Sequence, residues 1–252
     1  MEKQVLLRID AVDVQFGALK AVDSVSLAIK TGERRALIGS NGAGKTTLFN
    51  AITGMTPPTR GRIFFDNKDI THKTPEARAR LGLGRTFQIT NLFPSLTIHE
   101  NMLLAARGLS VRKYSLLGAL RPTGAEDRLI KESLLKAGIP GQQANRVSEL
   151  SYGAQRQLEL AMALATQPRL LLLDEPAAGL SPTERAVVID VVRSLGREIT
   201  IVLIEHDLEL ALGLVDFVTC MYNGKVLAED TPERIRSNTA VQDVYLGSAV
   251  HA

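Results

Sequence analysis

Apolar and polar residues alternate in short runs near the start of the chain: Leu7 and Ile9, Val12 and Val14, then Val25, Leu27 and Ile29. Alternation with a period of two is the mark of half-buried strands, and Gly17, next to Phe16, and Asp23 are placed as turns between them. Thr31-Gly32-Glu33 turns the chain into the strand-like run Arg35-Ala36-Leu37-Ile38, which enters a glycine-rich segment and then a helix over 47–52. Gly54 and Pro57-Pro58 end that helix, and 61–65 is a further short strand. Pro75 opens a short helix through Arg80, and Arg85-Thr86-Phe87-Gln88 reads as a strand ending in a glutamine. Thr97-Ile98-His99-Glu100 is a capping box, in which threonine and glutamate side chains satisfy amides at the start of a helix that reaches Arg107.

The periodicity lapses over 108–124, which reads as an irregular excursion. Residues 125–137 are helical, with Leu129, Ile130, Leu134 and Leu135 on one stripe and Gly138 as the stop. A second long helix starts at Ser151. Leu170-Leu171-Leu172-Leu173 is too short for a lone helix and runs into Asp174-Glu175-Pro176, so it is predicted as a strand buried in a parallel sheet. Ser181-Pro182-Thr183-Glu184 is a second capping box, with proline at the first helical position. A buried strand over 199–204 and a short helix capped by Asp207 follow, and Asn223-Gly224 is a hairpin turn between 218–222 and 225–228. Strand and helix alternation thus surrounds a mainly helical middle, which divides the chain at 1–87, 88–167 and 168–252.

Composition narrows the class. With 252 residues, 45% of them hydrophobic, the chain can bury a substantial interior. Its 30 Lys and Arg against 27 Asp and Glu leave a net charge of +3, too small and too dispersed for nucleic acid to be the partner. The single cysteine, Cys220, sits in an apolar run as a core residue; it rules out an intramolecular disulfide and points to a reducing compartment. No stretch approaches the ~18 apolar residues of a spanning helix, so membrane contact is expected only through embedded partners.

The chemistry begins at residues 39–47. Gly39, Gly44, Lys45 and Thr46 fill the pattern G-x-x-x-x-G-K-[ST], with Ser40, Asn41, Gly42 and Ala43 between the glycines and Thr47 opening the helix. Glycines let successive backbone amides point inward at an anion, Lys45 adds charge for β- and γ-phosphates, and the Thr46 hydroxyl is a ligand for Mg²⁺. The helix start adds its positive end. This is a phosphate-binding loop, and strand-loop-helix is the context it requires.

Asp174 is placed at the end of a buried strand to hold Mg²⁺ or its waters, and Glu175 to deprotonate a water attacking the γ-phosphate. Gln88 can sense metal and water from its own strand end, though a lone glutamine carries little information. In Leu150-Ser151-Tyr152-Gly153-Ala154-Gln155 a serine hydroxyl and bare amides at a helix start make a second anion site. His206, taken alone, is as consistent with a cap or a surface residue as with function.

Residues 39–47, Gln88, 150–155, 170–175 and His206 together, in this order, resemble the ATP-binding-cassette (ABC) ATPase subunits over essentially the whole chain. The resemblance implies an α/β fold: a P-loop NTPase (RecA-like) ABC ATPase core with an antiparallel β subdomain and an inserted helical subdomain. It implies two subunits packed head to tail, each ATP lying between one subunit's phosphate loop and the other's signature helix. Ser151 and Gly153 would then act on the partner's ATP, Phe16 would stack on adenine, Gln88 would be the Q-loop residue, Glu175 the catalytic base and His206 the switch histidine. Three positions depart from the common pattern: Tyr152 in place of glycine, Ala154 in place of glutamine, and Ser181 in place of aspartate. Tyr152 is expected to keep a negative φ, leaving Gly153 to donate its amide.

Arg85-Thr86-Phe87-Gln88 with Leu92-Phe93, the run 174–180 and the ending Tyr245-Leu246-Gly247 resemble the ATPase subunits of branched-chain amino-acid importers. That implies transmembrane permease subunits, a second ABC ATPase subunit as homo- or heterodimer, a periplasmic binding protein acting indirectly, and a peripheral place on the cytoplasmic face of the inner membrane. Urea or amide import and lipopolysaccharide export are the alternatives within the family. A soluble ABC ATPase usually carries two cassettes or a long coiled coil, and a phosphate-loop kinase would leave 151–155 and His206 without a job.

Overall fold

The alternating start of the chain folds as two long strands, not a series of short ones. β1 (Val5–Phe16) and β2 (Leu19–Lys30) pair antiparallel, with Ile9 opposite Leu27 and Val12 opposite Val25. Gly17 makes the turn between them, but Asp23 lies inside β2. Bulges replace the second expected turn: Ala11 and Ser24 take φ of 43° and 54°, and the register shifts on both sides of Val12. The Asp13 carboxylate accepts the Ser24 amide at 2.7 Å, satisfying a donor that the ladder leaves out. β4 (Arg60–Phe65) and β5 (Lys68–Asp69) complete a sheet of order β2-β1-β4-β5.

This is a computed structural model, which describes residues 4–86, 92–108 and 123–249, with side chains as far as Val244. Two compact units emerge. A sheet unit contains 1–78, 172–175 and 197–252, and a helical unit contains 79–171 and 176–196. The helical unit thus takes in 176–196, a stretch grouped with the last third of the chain by pattern alone.

In the sheet unit, β3 (Arg34–Gly39) lies between two parallel neighbours, β8 (Thr200–Ile204) and β9 (Phe217–Tyr222), with Ala36 opposite both Leu203 and Val218. The order is β10-β9-β3-β8-β7, with β7 at Leu170–Asp174 and β10 at Lys225–Asp230. Every residue of β3, β7 and β8 is buried, which is why β7 and β8 read as nearly continuous apolar runs, whereas β3 opens with the buried Arg34 and Arg35. Asn223 and Gly224, with φ of 48° and 79°, make the left-handed turn of the β9-β10 hairpin. α1 (Lys45–Thr53) follows β3, and α7 (Leu208–Leu212) follows β8 with the Asp207 carboxylate accepting the Leu210 amide. Two helices near the end, α8 (Pro232–Arg236) and α9 (Thr239–Ala249), were not legible as periodicity.

The short helix α2 (Pro75–Arg80) carries Arg78, whose side chain is 1% exposed. Its guanidinium donates to the carbonyls of Ala51 and Ile52 at 2.6 Å, of Thr71 at 2.9 Å and of Lys73 at 3.0 Å. Ala51 and Ile52 lie in the last turn of α1, where carbonyls lack helical partners and the helix dipole favours a cation. Burial pushes the guanidinium down to about 10. Arg78 therefore pins the far end of the helix that begins at the phosphate loop.

In the helical unit, β6 (Leu83–Arg85) runs beside the start of β7, the amides of Arg169 and Leu170 donating to the Gly82 carbonyl. α3 (Ile98–Gly108), α4 (Gly124–Lys136) and α5 (Tyr152–Ala165) enclose a core of Ile98, Met102, Ile130, Leu134, Leu158 and Ala161. α6 (Pro182–Ser194) completes the unit. The Thr97–Glu100 capping box forms as expected. α4 begins one residue earlier than its stripe suggests, because Thr123 and Glu126 form a capping box of their own. Of the excursion read over 108–124, Gly108 ends α3 and Gly124 opens α4 after its cap Thr123, while 109–122, like the pair Phe87-Gln88, lies outside the described residues.

Two outcomes follow. Arg78→Ala takes the guanidinium from four carbonyls, that of Ala51 keeping the Gly54 amide, and is expected to cost about 3 kcal/mol or more in urea denaturation, with Arg78→Lys recovering only part because one ammonium cannot span the fork. The Arg107 guanidinium, at 2.9 and 3.1 Å, holds the Glu126 carboxyl down from 4.5 to about 2, with the Thr123 amide assisting. A depressed folded-state pKa gives stability that is complete above 4.5 and lost as pH falls towards 2. The stability gap between wild type and Glu126→Gln, measured by thermal melts across that window, should therefore close on acidification.

Candidate nucleotide-binding site

The phosphate loop has almost no room for side chains. Gly39, Gly42 and Gly44 take φ of 144°, 78° and 98°. A Cβ on Gly39 would lie 2.2 Å from the Met221 carbonyl oxygen, and one on Gly44 would lie 2.3 Å from that of Ala21. Gly42 faces open space and is required by its φ alone. The Ala43 amide donates to the Ser40 carbonyl, and the Ala43 carbonyl accepts the Gly224 amide at 3.1 Å, so the hairpin tip braces the loop. Glycine at the N-cap gives α1 no side-chain cap, and its first turn has no acid. Asn41 and Thr46 are exposed, and Ser40 and Thr47 are half-buried.

Lys45 folds back over this loop. Its Nζ donates to the Gly39 carbonyl at 2.7 Å and to the Ser40 carbonyl at 3.0 Å, with the residue 5% exposed. Burial pushes its ammonium down, and the negative charges of Glu175 and Asp174 oppose that shift. The cation is thus held within the loop by weak carbonyl acceptors that an anionic ligand can outcompete.

Asp174 ends β7 and is buried, and Glu175 follows it with φ of 50°. A left-handed backbone costs a non-glycine residue about 1–2 kcal/mol, and such strain collects at functional positions. The Glu175 amide donates to the Ile204 carbonyl at the end of β8, and its Oε1 lies 2.8 Å from His206 Nε2. The fold therefore pairs two residues that the sequence leaves thirty-one apart. Phe16 ends β1 half exposed, opposite the more exposed Leu19, with its ring open to stacking.

A metal fits the hard oxygen donors here, the Asp174 carboxylate and the Thr46 hydroxyl. Among the described residues no cluster of three or more His, Cys, Asp or Glu could hold a metal by itself. Mg²⁺ takes one or two protein ligands and completes its shell with phosphate and water. Cys220 is buried with its thiol pushed up to about 11 by desolvation, an inert core residue.

The segment read as a second anion site lies in the helical unit. Ser151 caps α5 through its Oγ, which accepts the Ala154 amide at 3.2 Å. Tyr152 has no positive φ, as expected, and the Gly153 amide, read as a donor to a partner's ATP, donates to Glu184 Oε1 at 3.1 Å. The Tyr152 hydroxyl accepts from Arg156 at 2.9 Å, and a Cβ on Gly179 would lie 3.2 Å from the Tyr152 ring. Ser181 caps α6 in the box read from the sequence. Glu184, seen there only as the far end of that box, also reaches Ser151 and Gly153. The capping spacing was the visible signal; its contact across thirty-one residues was not. Gln88 lies outside the described residues.

A family model described as ABC transporter matches residues 22–178, and one described as branched-chain amino acid ATP-binding cassette transporter matches 225–251. The high-affinity branched-chain amino acid transport ATP-binding protein LivG of Salmonella typhimurium is 40% identical over 255 residues, covering 98% of this chain and 99% of its own. BraF of Pseudomonas aeruginosa, of the same description, is 38% identical and covers 97% and 98%. A crystal structure of the ADP conformation of an ATP-binding cassette of an ABC transporter matches with a TM-score of 0.85 at 31% identity, covering 97% of this chain and 99% of that one. No helix among the described residues is long and apolar enough to cross a membrane. The chain belongs to the ABC transporter family, as one of its ATP-binding cassettes, and is an ATPase.

Proposed function

We propose that this chain is the ATP-hydrolysing subunit of an importer for branched-chain or related amino acids. The observation that carries the reading is similarity of about 40% along the whole length to transport subunits of that description, joined by the separate match over 225–251. The chain works at the cytoplasmic face of the inner membrane, held there by transmembrane permease subunits, with a periplasmic binding protein acting through them.

Residues 39–47 cradle the β- and γ-phosphates with their amides, and Lys45 leaves the Gly39 and Ser40 carbonyls for the stronger charge of the phosphates. Phe16 stacks on the adenine. Thr46, Asp174 and Gln88 would hold Mg²⁺, which would supply positive charge against the phosphates. Glu175 takes the proton of the attacking water, and the Nε2–H tautomer of His206 orients the Glu175 carboxylate until it turns to the γ-phosphate. A second cassette, this chain or a related one, packs head to tail so that Ser151 and Gly153 donate to the γ-phosphate on the opposite loop. Association of the two cassettes is then the step that moves the permease.

Glu175→Gln is expected to lose hydrolysis by about 10²-fold or more while still binding ATP, checked by phosphate release and nucleotide binding side by side. Turnover at the wild-type rate would remove Glu175 from the role of base. A strain lacking this chain should lose uptake of labelled leucine, isoleucine or valine within a wider panel. Unchanged uptake of all three, with loss of another solute, would replace the substrate assignment and keep the ATPase.

A further inference from the structure

One carboxylate closes the second anion site from within the same unit. Glu184 Oε1 accepts the Ser151 hydroxyl at 3.1 Å and the Gly153 amide at 3.1 Å. Its Oε2 accepts the Ser181 amide at 3.2 Å and the Ser181 hydroxyl at 2.7 Å. Each oxygen thus serves one segment: Oε1 the start of α5, Oε2 the loop before α6. The two donors on Oε1 are those assigned above to a γ-phosphate, and a site of that size holds one anion at a time.

Gly153 leaves room for this contact. Its φ is not left-handed, so backbone conformation does not demand glycine there. A Cβ there would lie 2.6 Å from Glu184 Oε1 and 2.7 Å from its Cδ, so the carboxylate would have to draw back from the amide. The absent side chain is what lets the carboxylate reach the amide. Ser151 is set in the same way, since its Oγ accepts the Ala154 amide and its proton is left to point at the anion. The four donors, those of Ser181 foremost, hold the Glu184 carboxyl below its usual range, so it is charged at neutral pH.

Such an occupant has two effects. It keeps hydroxyl and amide aimed at an oxygen position before any ligand arrives, and it must leave when a phosphate does, because two anions on the same donors repel. Departure needs only rotation of a half-buried side chain towards solvent. The Tyr152 ring against Gly179 remains as a second tie between α5 and the loop, so the unit need not come apart. Ser181 loses one carboxylate at the same moment, which links the signature segment to the 176–181 loop through a single residue.

We propose that Glu184 is a positioning residue that occupies the Ser151–Gly153 anion site in the unliganded chain and yields it to the terminal phosphate of ATP held by a second cassette. The proposal rests on the reading of Ser151 and Gly153 given under Proposed function. Its consequence is a threshold: the chain's own carboxylate raises the ATP concentration at which two cassettes close.

The test is steady-state ATP turnover of the full chain against ATP concentration, with thermal melts of the same preparations. Glu184→Gln removes the negative charge that competes with phosphate for Ser151 and Gly153, so KM for ATP should fall by about threefold to tenfold. Glu184→Asp keeps the charge and a shorter cap on α6 but withdraws from Ser151 and Gly153; it should show a fall in KM even where the glutamine variant folds poorly. A lower melting temperature with KM unchanged or raised in both variants would reduce Glu184 to a helix cap and overturn the proposal. Ser151→Ala separates this failure from failure of the underlying reading. Defective turnover in Ser151→Ala beside unaltered Glu184 variants rejects only the occupant, whereas wild-type KM in Ser151→Ala rejects the site and the occupant with it.

Discussion

The absence of space around the phosphate loop is the constraint on which the rest depends. Gly39 is pressed against the Met221 carbonyl of β9, and Gly44 against the Ala21 carbonyl of β2, so both sheets of the sheet unit set the position of the loop. The tip of the β9-β10 hairpin adds a hydrogen bond from the Gly224 amide to Ala43, and the Asp23 amide donates to the Gly224 carbonyl at 2.8 Å. Arg78 fixes the other end of α1. A helix held at both ends presents its first-turn amides at a defined point in space, and that is what an anion site needs.

Charge is arranged around that point with little waste. Lys45 is the buried cation, and Asp174 and Glu175 are the acids that favour its charged form against desolvation. Glu175 sits at the end of a strand buried along its length, in a backbone conformation its side chain disfavours, and the Ile204 carbonyl and His206 hold it there. The cost of that conformation is borne by the packing of β7 and β8, whose residues are all buried.

The helical unit repeats one device, the capping box, and puts it to two ends. At Thr97 and at Thr123 it starts a helix. At Ser181 the glutamate that completes the box turns its second oxygen on another helix start. A local motif becomes a tertiary contact because Gly153 has no Cβ and Glu184 has one oxygen to spare.

The sequence by itself determined the class of fold, the phosphate loop, the buried strand ending in Asp174 and both serine caps, because each rests on local rules: glycine for positive φ, unbroken apolar runs for doubly buried strands, S-x-x-E for helix starts. Its motif order also led to the family. The turn expected at Asp23 failed because a bulge and a turn look alike where one residue is polar and its neighbour takes positive φ. α8 and α9 escaped notice because their short apolar stripes compete with no clear period. Only the tertiary structure paired Glu175 with His206, buried Arg78 under α1, and set Glu184 against Ser151 and Gly153. Those contacts join residues twenty-six or more apart, and which long side chain reaches which donor is decided by packing that no local pattern encodes.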